Sequence, residues 1–121
     1  MAAMHKLLLI EDDLRLGEGI KRLLSDQGYF VEHFCEAGGV EKQLRTQAFD
    51  AIICDVMLPG IDGFQLMARL RHLHSAKIIF LSALTDTEHQ LQGYELGAAD
   101  YITKPVGAGF IVGQIKSHLT V

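Results

Sequence analysis

The chain has 121 residues, the size of one domain, and its 49% hydrophobic content fits a folded protein with a real core rather than a disordered one. A net charge of -4 and a pI near 5.8 exclude a surface that holds nucleic acid unaided, because phosphate binding needs clustered Lys and Arg. Cys35 and Cys54 do not make a disulfide framework, no apolar stretch approaches the roughly 20 residues that cross a bilayer, and residues 1–6 lack the apolar region of a secretory signal, so a cytoplasmic protein with free thiols is expected.

Along the chain, apolar runs of strand length alternate with stretches of helical period. The first strand is Lys6–Ile10, followed by Glu11-Asp12-Asp13. Asp13 can cap a first helix that carries Leu16, Ile20, Leu23 and Leu24 on one face until Gly28 stops it. A second strand spans residues 29–34, and Gly38-Gly39 sits where the second helix should begin. The third strand, Ala51–Asp55, closes an apolar run with a carboxylate. Asp62 then caps a third helix with Phe64, Met67, Leu70 and Leu73 on its buried side. Lys77–Ser82 is the fourth strand, and its helix runs from near Asp86 to Gly97. Asp100–Thr103, followed by Lys104-Pro105, is the fifth. Gly107, Gly109 and Gly113 crowd the last helix, where an interior Gly costs about 1 kcal/mol against Ala, so it and the second helix should fray most.

Strands without polar alternation, such as Leu7-Leu8-Leu9-Ile10 and Ile78-Ile79-Phe80-Leu81, are covered on both faces. The expected fold is therefore a three-layer (βα)5 sandwich with a parallel sheet, and right-handed crossovers favour the flavodoxin-like order 2-1-3-4-5. In that order the first and third strands are neighbours, and Glu11, Asp12 and Asp55 meet at the switch point where open α/β sheets bind ligands.

Carboxylates gathered there repel, at roughly 3 kcal/mol for two charges about 5 Å apart in an effective dielectric of 20. Oxygen ligands completed by water suit Mg²⁺ or Mn²⁺, whereas zinc prefers His or Cys. Lys104 supplies further positive charge. Taken alone, Glu11-Asp12-Asp13 could equally serve only to cap the first helix. Asp55 shifts the balance, because a carboxylate that ends a central apolar strand has no capping duty. The six histidines are scattered, and His72 and His74 face different sides of a helix, so no metal site is expected from them.

These residues resemble the receiver domains of two-component response regulators. Leu9-Ile10-Glu11-Asp12-Asp13 is similar to that family's first strand and acidic pair, and Asp55-Val56-Met57-Leu58-Pro59-Gly60 to its phosphoacceptor segment. Leu81-Ser82-Ala83 and Gly97-Ala98-Ala99-Asp100-Tyr101-Ile102-Thr103-Lys104-Pro105 are similar to the ends of its fourth and fifth strands. The resemblance implies that Asp55 accepts a phosphoryl group from a sensor histidine kinase or a small phosphodonor. Glu11, Asp12, Asp55 and the Met57 backbone carbonyl would hold the metal. Lys104 would pair with Asp55 and then with the phosphoryl oxygens, Ser82 would donate to one of them, and Tyr101 would turn from an exposed to a buried rotamer. Read without the family, Ser82 is a small strand-end polar residue and Tyr101 a packing aromatic. A cis Lys104–Pro105 peptide is also implied.

The resemblance further implies a signalling switch rather than an enzyme, one that assists only its own phosphorylation and dephosphorylation. It extends to regulators with a winged-helix DNA-binding domain, so the single domain 1–121 is expected to be the N-terminal part of a transcription regulator that reaches DNA through an output domain. Dimers of that class pair charges on the last helix, but Phe110 and Gln114 stand in their places here. A flavodoxin-like electron carrier is disfavoured because Glu11-Asp12-Asp13 would repel a flavin phosphate. A phosphohydrolase is disfavoured because Met57 replaces the acid/base expected two residues after the nucleophile.

Overall fold

The computed structural model describes residues 4–119; residues 1–3, on which part of the expectation about an N-terminal signal rests, and residues 120–121 lie outside it. Five strands, β1 (Lys6–Ile10), β2 (Phe30–Phe34), β3 (Ala51–Asp55), β4 (Lys77–Ser82) and β5 (Asp100–Thr103), alternate with helices. The helices are α1 (Leu14–Asp26), α2 (Val40–Thr46), α3 (Gly63–Leu70), α4 (Thr87–Glu95) and α5 (Ala108–Leu119). All strand pairs are parallel, in the order β2-β1-β3-β4-β5.

Each face of the sheet carries its own core, because successive residues of a strand point to opposite sides. Leu8, Ile10, Ile52, Cys54, Ile78 and Phe80 pack with Val40, Leu44, Phe64, Met67 and Leu70 of α2 and α3. Leu7, Leu9, Ala51, Ile53, Ile79 and Leu81 pack with Ile20, Leu24, Ile111 and Ile115 of α1 and α5. Full burial on both faces explains the unbroken apolar runs.

Helix ends follow the local sequence. Asp13 accepts the Leu16 N–H at 3.0 Å, and Asp62 forms a capping box with Gln65. Gly28 ends α1 with φ of 93°, and the Tyr29 N–H reaches back to the Leu24 carbonyl. Tyr29 is thereby spent on the turn, so β2 starts at Phe30, one residue later than the apolar run suggests. A single 3₁₀ turn, Arg71–Leu73, extends α3, which leaves Leu73 only half-buried.

Candidate functional site

Parallel strands present their C-terminal ends at one edge of the sheet, and the register decides which residues meet. Ile10 stands level with Cys54, so Glu11 and Asp12 leave β1 beside the end of β3. Ser82 pairs with Thr103, and the Lys104 N–H donates to the Ser82 carbonyl at 2.8 Å, which brings Lys104 to the same edge. The Lys104–Pro105 peptide is cis, as expected.

The Lys104 ammonium bridges two carboxylates, 2.8 Å from Glu11 Oε1 and 2.9 Å from Asp55 Oδ2. Glu11 is 0% and Asp55 2% exposed, whereas Asp12 faces solvent. Backbone donors take up the remaining oxygens of the buried pair: Asp55 Oδ1 accepts the Met57 N–H at 3.0 Å, and Glu11 Oε2 accepts the Asp13 N–H at 3.2 Å. Carboxylate oxygens of Glu11, Asp12 and Asp55 all lie within 4.8 Å of one another.

One ammonium cannot neutralise three carboxylates, and the protonation balance reflects that. Burial, reinforced by hydrogen bonding to and repulsion from Asp55, pushes the Glu11 carboxyl up to about 7 against the pull of Lys104 and the Asp13 N–H. Burial alone would lower the Lys104 pKa, but its hydrogen bonds and ion pairs with Glu11 and Asp55 hold it above the ordinary value. The donor set is all oxygen, partly open through Asp12, and electrically incomplete. Such a set fits a small hard divalent cation that keeps some of its own water.

Ser82 and Tyr101 do not touch the carboxylates but share a second feature. The fully buried Ser82 Oγ accepts the Leu84 N–H at 3.0 Å, and the Tyr101 hydroxyl donates to the Leu84 carbonyl at 2.8 Å. Tyr101 is 7% exposed, in the inward position, with burial raising its pKa. Leu84 is thus held from both sides. A shift of the Ser82 hydroxyl would act on the same residue whose carbonyl Tyr101 holds.

Two other contacts have no counterpart in the sequence pattern. Asp100 Oδ2 accepts from Gln114 Nε2 at 2.6 Å and lies 3.0 Å from His118 Nε2, tying β5 to α5. His33 Nε2 lies 2.9 Å from the Glu11 carbonyl. Both join residues remote in the chain, so no periodicity marks them. The pairing of β2 with β1 was the available signal for His33, since it sets Phe34 level with Ile10.

Fold and site together define a class: a doubly wound α/β domain with a lysine-closed acidic pocket at the switch point between β1 and β3. The chain belongs to the response regulator receiver domain family, whose model matches residues 7–116. It is 35% identical over 114 residues to the transcriptional activator protein IrlR of Burkholderia pseudomallei, covering 94% of this chain and 50% of that protein. It is 40% identical over 116 residues to the transcriptional regulatory protein AfsQ1 of Streptomyces coelicolor, covering 96% and 52%. The chain therefore spans about half the length of the curated relatives it matches. Among solved structures, the BeF3-activated DrrB receiver domain superposes with a TM-score of 0.89 at 28% identity over 98% of this chain and 100% of that one. A putative response regulator from Chloroflexus aurantiacus gives 0.86 at 33%, over 98% and 100%. Family membership makes this a phosphorylation-dependent signalling domain rather than an ordinary enzyme. No helix among the described residues is long and apolar enough to cross a membrane.

Proposed function

We propose that the chain is the phosphoacceptor switch of a two-component system and that Asp55 carries the phosphoryl group. The observation that supports this most is the Lys104 ammonium shared between Asp55 and Glu11 at a strand edge that also holds Asp12. An Asp55 carboxylate oxygen attacks the phosphorus of a phosphohistidine on a sensor histidine kinase, or of a small acyl phosphate. The P–O bond to Asp55 forms as the bond to the leaving imidazole or carboxylate breaks. Little covalent work falls to the protein, and positioning with charge neutralisation does most of it.

Glu11, Asp12, Asp55 and the Met57 backbone carbonyl would hold Mg²⁺, with Mn²⁺ as a substitute, and the metal would supply charge neutralisation for the approaching anions. Asp12 and Met57 also line an open groove of about 480 Å³, which gives a donor access from solvent. Lys104, already paired with Asp55, can keep one hydrogen bond as charge passes to the phosphoryl oxygens. Ser82 turns its hydroxyl from the Leu84 N–H to a phosphoryl oxygen. That frees Leu84, and with it the peptide that Tyr101 holds, so the surface of α4, β5 and α5 changes. The domain acts on no other molecule and assists only its own phosphorylation and dephosphorylation.

The relatives' names and their double length support a longer transcription regulator, with this receiver as its N-terminal part and a winged-helix output domain making the DNA contact. A cytoplasmic location goes with that role. A homodimer through α4, β5 and α5 would lack the usual charges, since Phe110 is 56% exposed and Gln114 is bound to Asp100.

Intact mass after incubation with acetyl phosphate and Mg²⁺ tests the proposal. Wild type should gain one phosphoryl group and Asp55→Asn none; equal labelling of both would move the phosphoacceptor elsewhere. Ser82→Ala should still accept phosphate while its conformational response weakens.

A further inference from the structure

We infer that His33, at the end of β2, is a positioning residue for the acidic pair; this rests on the metal-assisted reading above. The His33 side chain is 3% exposed, and its Nε2 lies 2.9 Å from the backbone carbonyl of Glu11. A carbonyl oxygen only accepts, so Nε2 carries the hydrogen of this bond. The opposite ring nitrogen, Nδ1, lies 3.5 Å from the exposed Glu18 carboxylate.

The carbonyl that His33 holds belongs to the peptide joining Glu11 to Asp12. That unit is planar, so fixing its oxygen fixes where the Asp12 Cα leaves the strand. From the other side, the Glu11 N–H donates to the Phe34 carbonyl at 3.0 Å. The end of β2 therefore grips Glu11 by both of its backbone polar groups, one through the main chain and one through imidazole. The neighbouring helix is built to admit the ring: a Cβ on Gly17 would lie 2.2 Å from His33 Cε1 and 2.3 Å from Nε2. Gly17 lies inside α1, where glycine is otherwise unfavourable, and ring accommodation accounts for it. Groups that orient metal ligands through such outer contacts tune metal affinity.

The test compares wild type with His33→Ala, His33→Asn and His33→Gln at one fixed pH. Mg²⁺ affinity is measured by calorimetry, and phosphorylation by acetyl phosphate is followed across Mg²⁺ concentrations. Loss of the donor in the Ala and Asn variants should weaken Mg²⁺ binding about threefold to thirtyfold. The phosphorylation rate at saturating Mg²⁺ should stay within about twofold of wild type, because Asp55 and Lys104 are untouched. Gln carries an amide N–H at the reach of Nε2, whereas Asn falls short, so Gln should recover most of the affinity. Unchanged affinity in folded Ala and Asn variants would overturn the inference. Equal weakening in all three would reduce His33 to packing and overturn it as well. Wild type that binds no Mg²⁺ would instead remove the metal-assisted reading, and this inference with it.

Discussion

Glu11 and Asp55 differ from an ordinary ion pair in that two buried acids share one base. The consequence is clearest for Glu11, whose carboxyl is raised from 4.5 to about 7 by burial and by Asp55. Between those values the folded protein binds more protons than the unfolded chain, so Glu11's contribution lowers stability as pH rises from about 4.5 to about 7. Thermal melts in EDTA should accordingly show Glu11→Gln gaining on wild type at pH 7.5 relative to pH 5. A proton on Glu11 also competes with a metal. Calorimetry should find Mg²⁺ binding weakened by about tenfold between pH 8 and pH 6, with proton release on binding.

Among the elements, α4 shows how packing can outweigh helix propensity. Gly93 lies within Thr87–Glu95, where Gly→Ala ordinarily stabilises a helix by about 1 kcal/mol. Here an added Cβ would meet Tyr101 Cδ2 at 3.1 Å, Phe80 Cδ2 at 3.2 Å and Phe64 Cε1 at 3.4 Å. Phe64 and Phe80 are locked edge-to-face in the core, so the Tyr101 ring is the partner that must yield. Gly93→Ala should push Tyr101 outward and break its bond to Leu84, seen as changed Tyr101 ring signals and no gain in stability. The elements themselves were mostly legible in the sequence. Four of five strands have their expected bounds because two-sided burial leaves continuous apolar runs, and the caps at Asp13 and Asp62 are local signals. The meeting of Glu11, Asp12 and Asp55 followed from strand order, and the approach of Lys104 from the family resemblance. What stayed hidden were side-chain contacts across elements: Tyr101 with Leu84, His33 with Glu11, and Asp100 with Gln114 and His118. Their partners are set by tertiary packing, which leaves no period in the chain.

For the whole molecule, the face formed by α4, β5 and α5 carries Phe110 and Gln114 at the last-helix positions where the class pairs charges. Asp100 is already engaged by Gln114 and His118, whose hydrogen bonds overcome burial and keep its pKa low. Phe110 projects outward instead of turning into the core. The phosphorylated domain should therefore remain monomeric at tens of micromolar, an outcome that sedimentation velocity would check directly.

The two cysteines occupy opposite extremes of this architecture. Cys35 is exposed, while Cys54 is sealed inside the sheet, its thiol pushed up by burial and by the negative charges of Asp55, Glu11 and Asp62. A maleimide pulse should modify Cys35 at once and Cys54 only when the domain opens globally. Without any engineered label, the native chain thus carries both a surface handle for attaching a dye and an internal clock for its own unfolding.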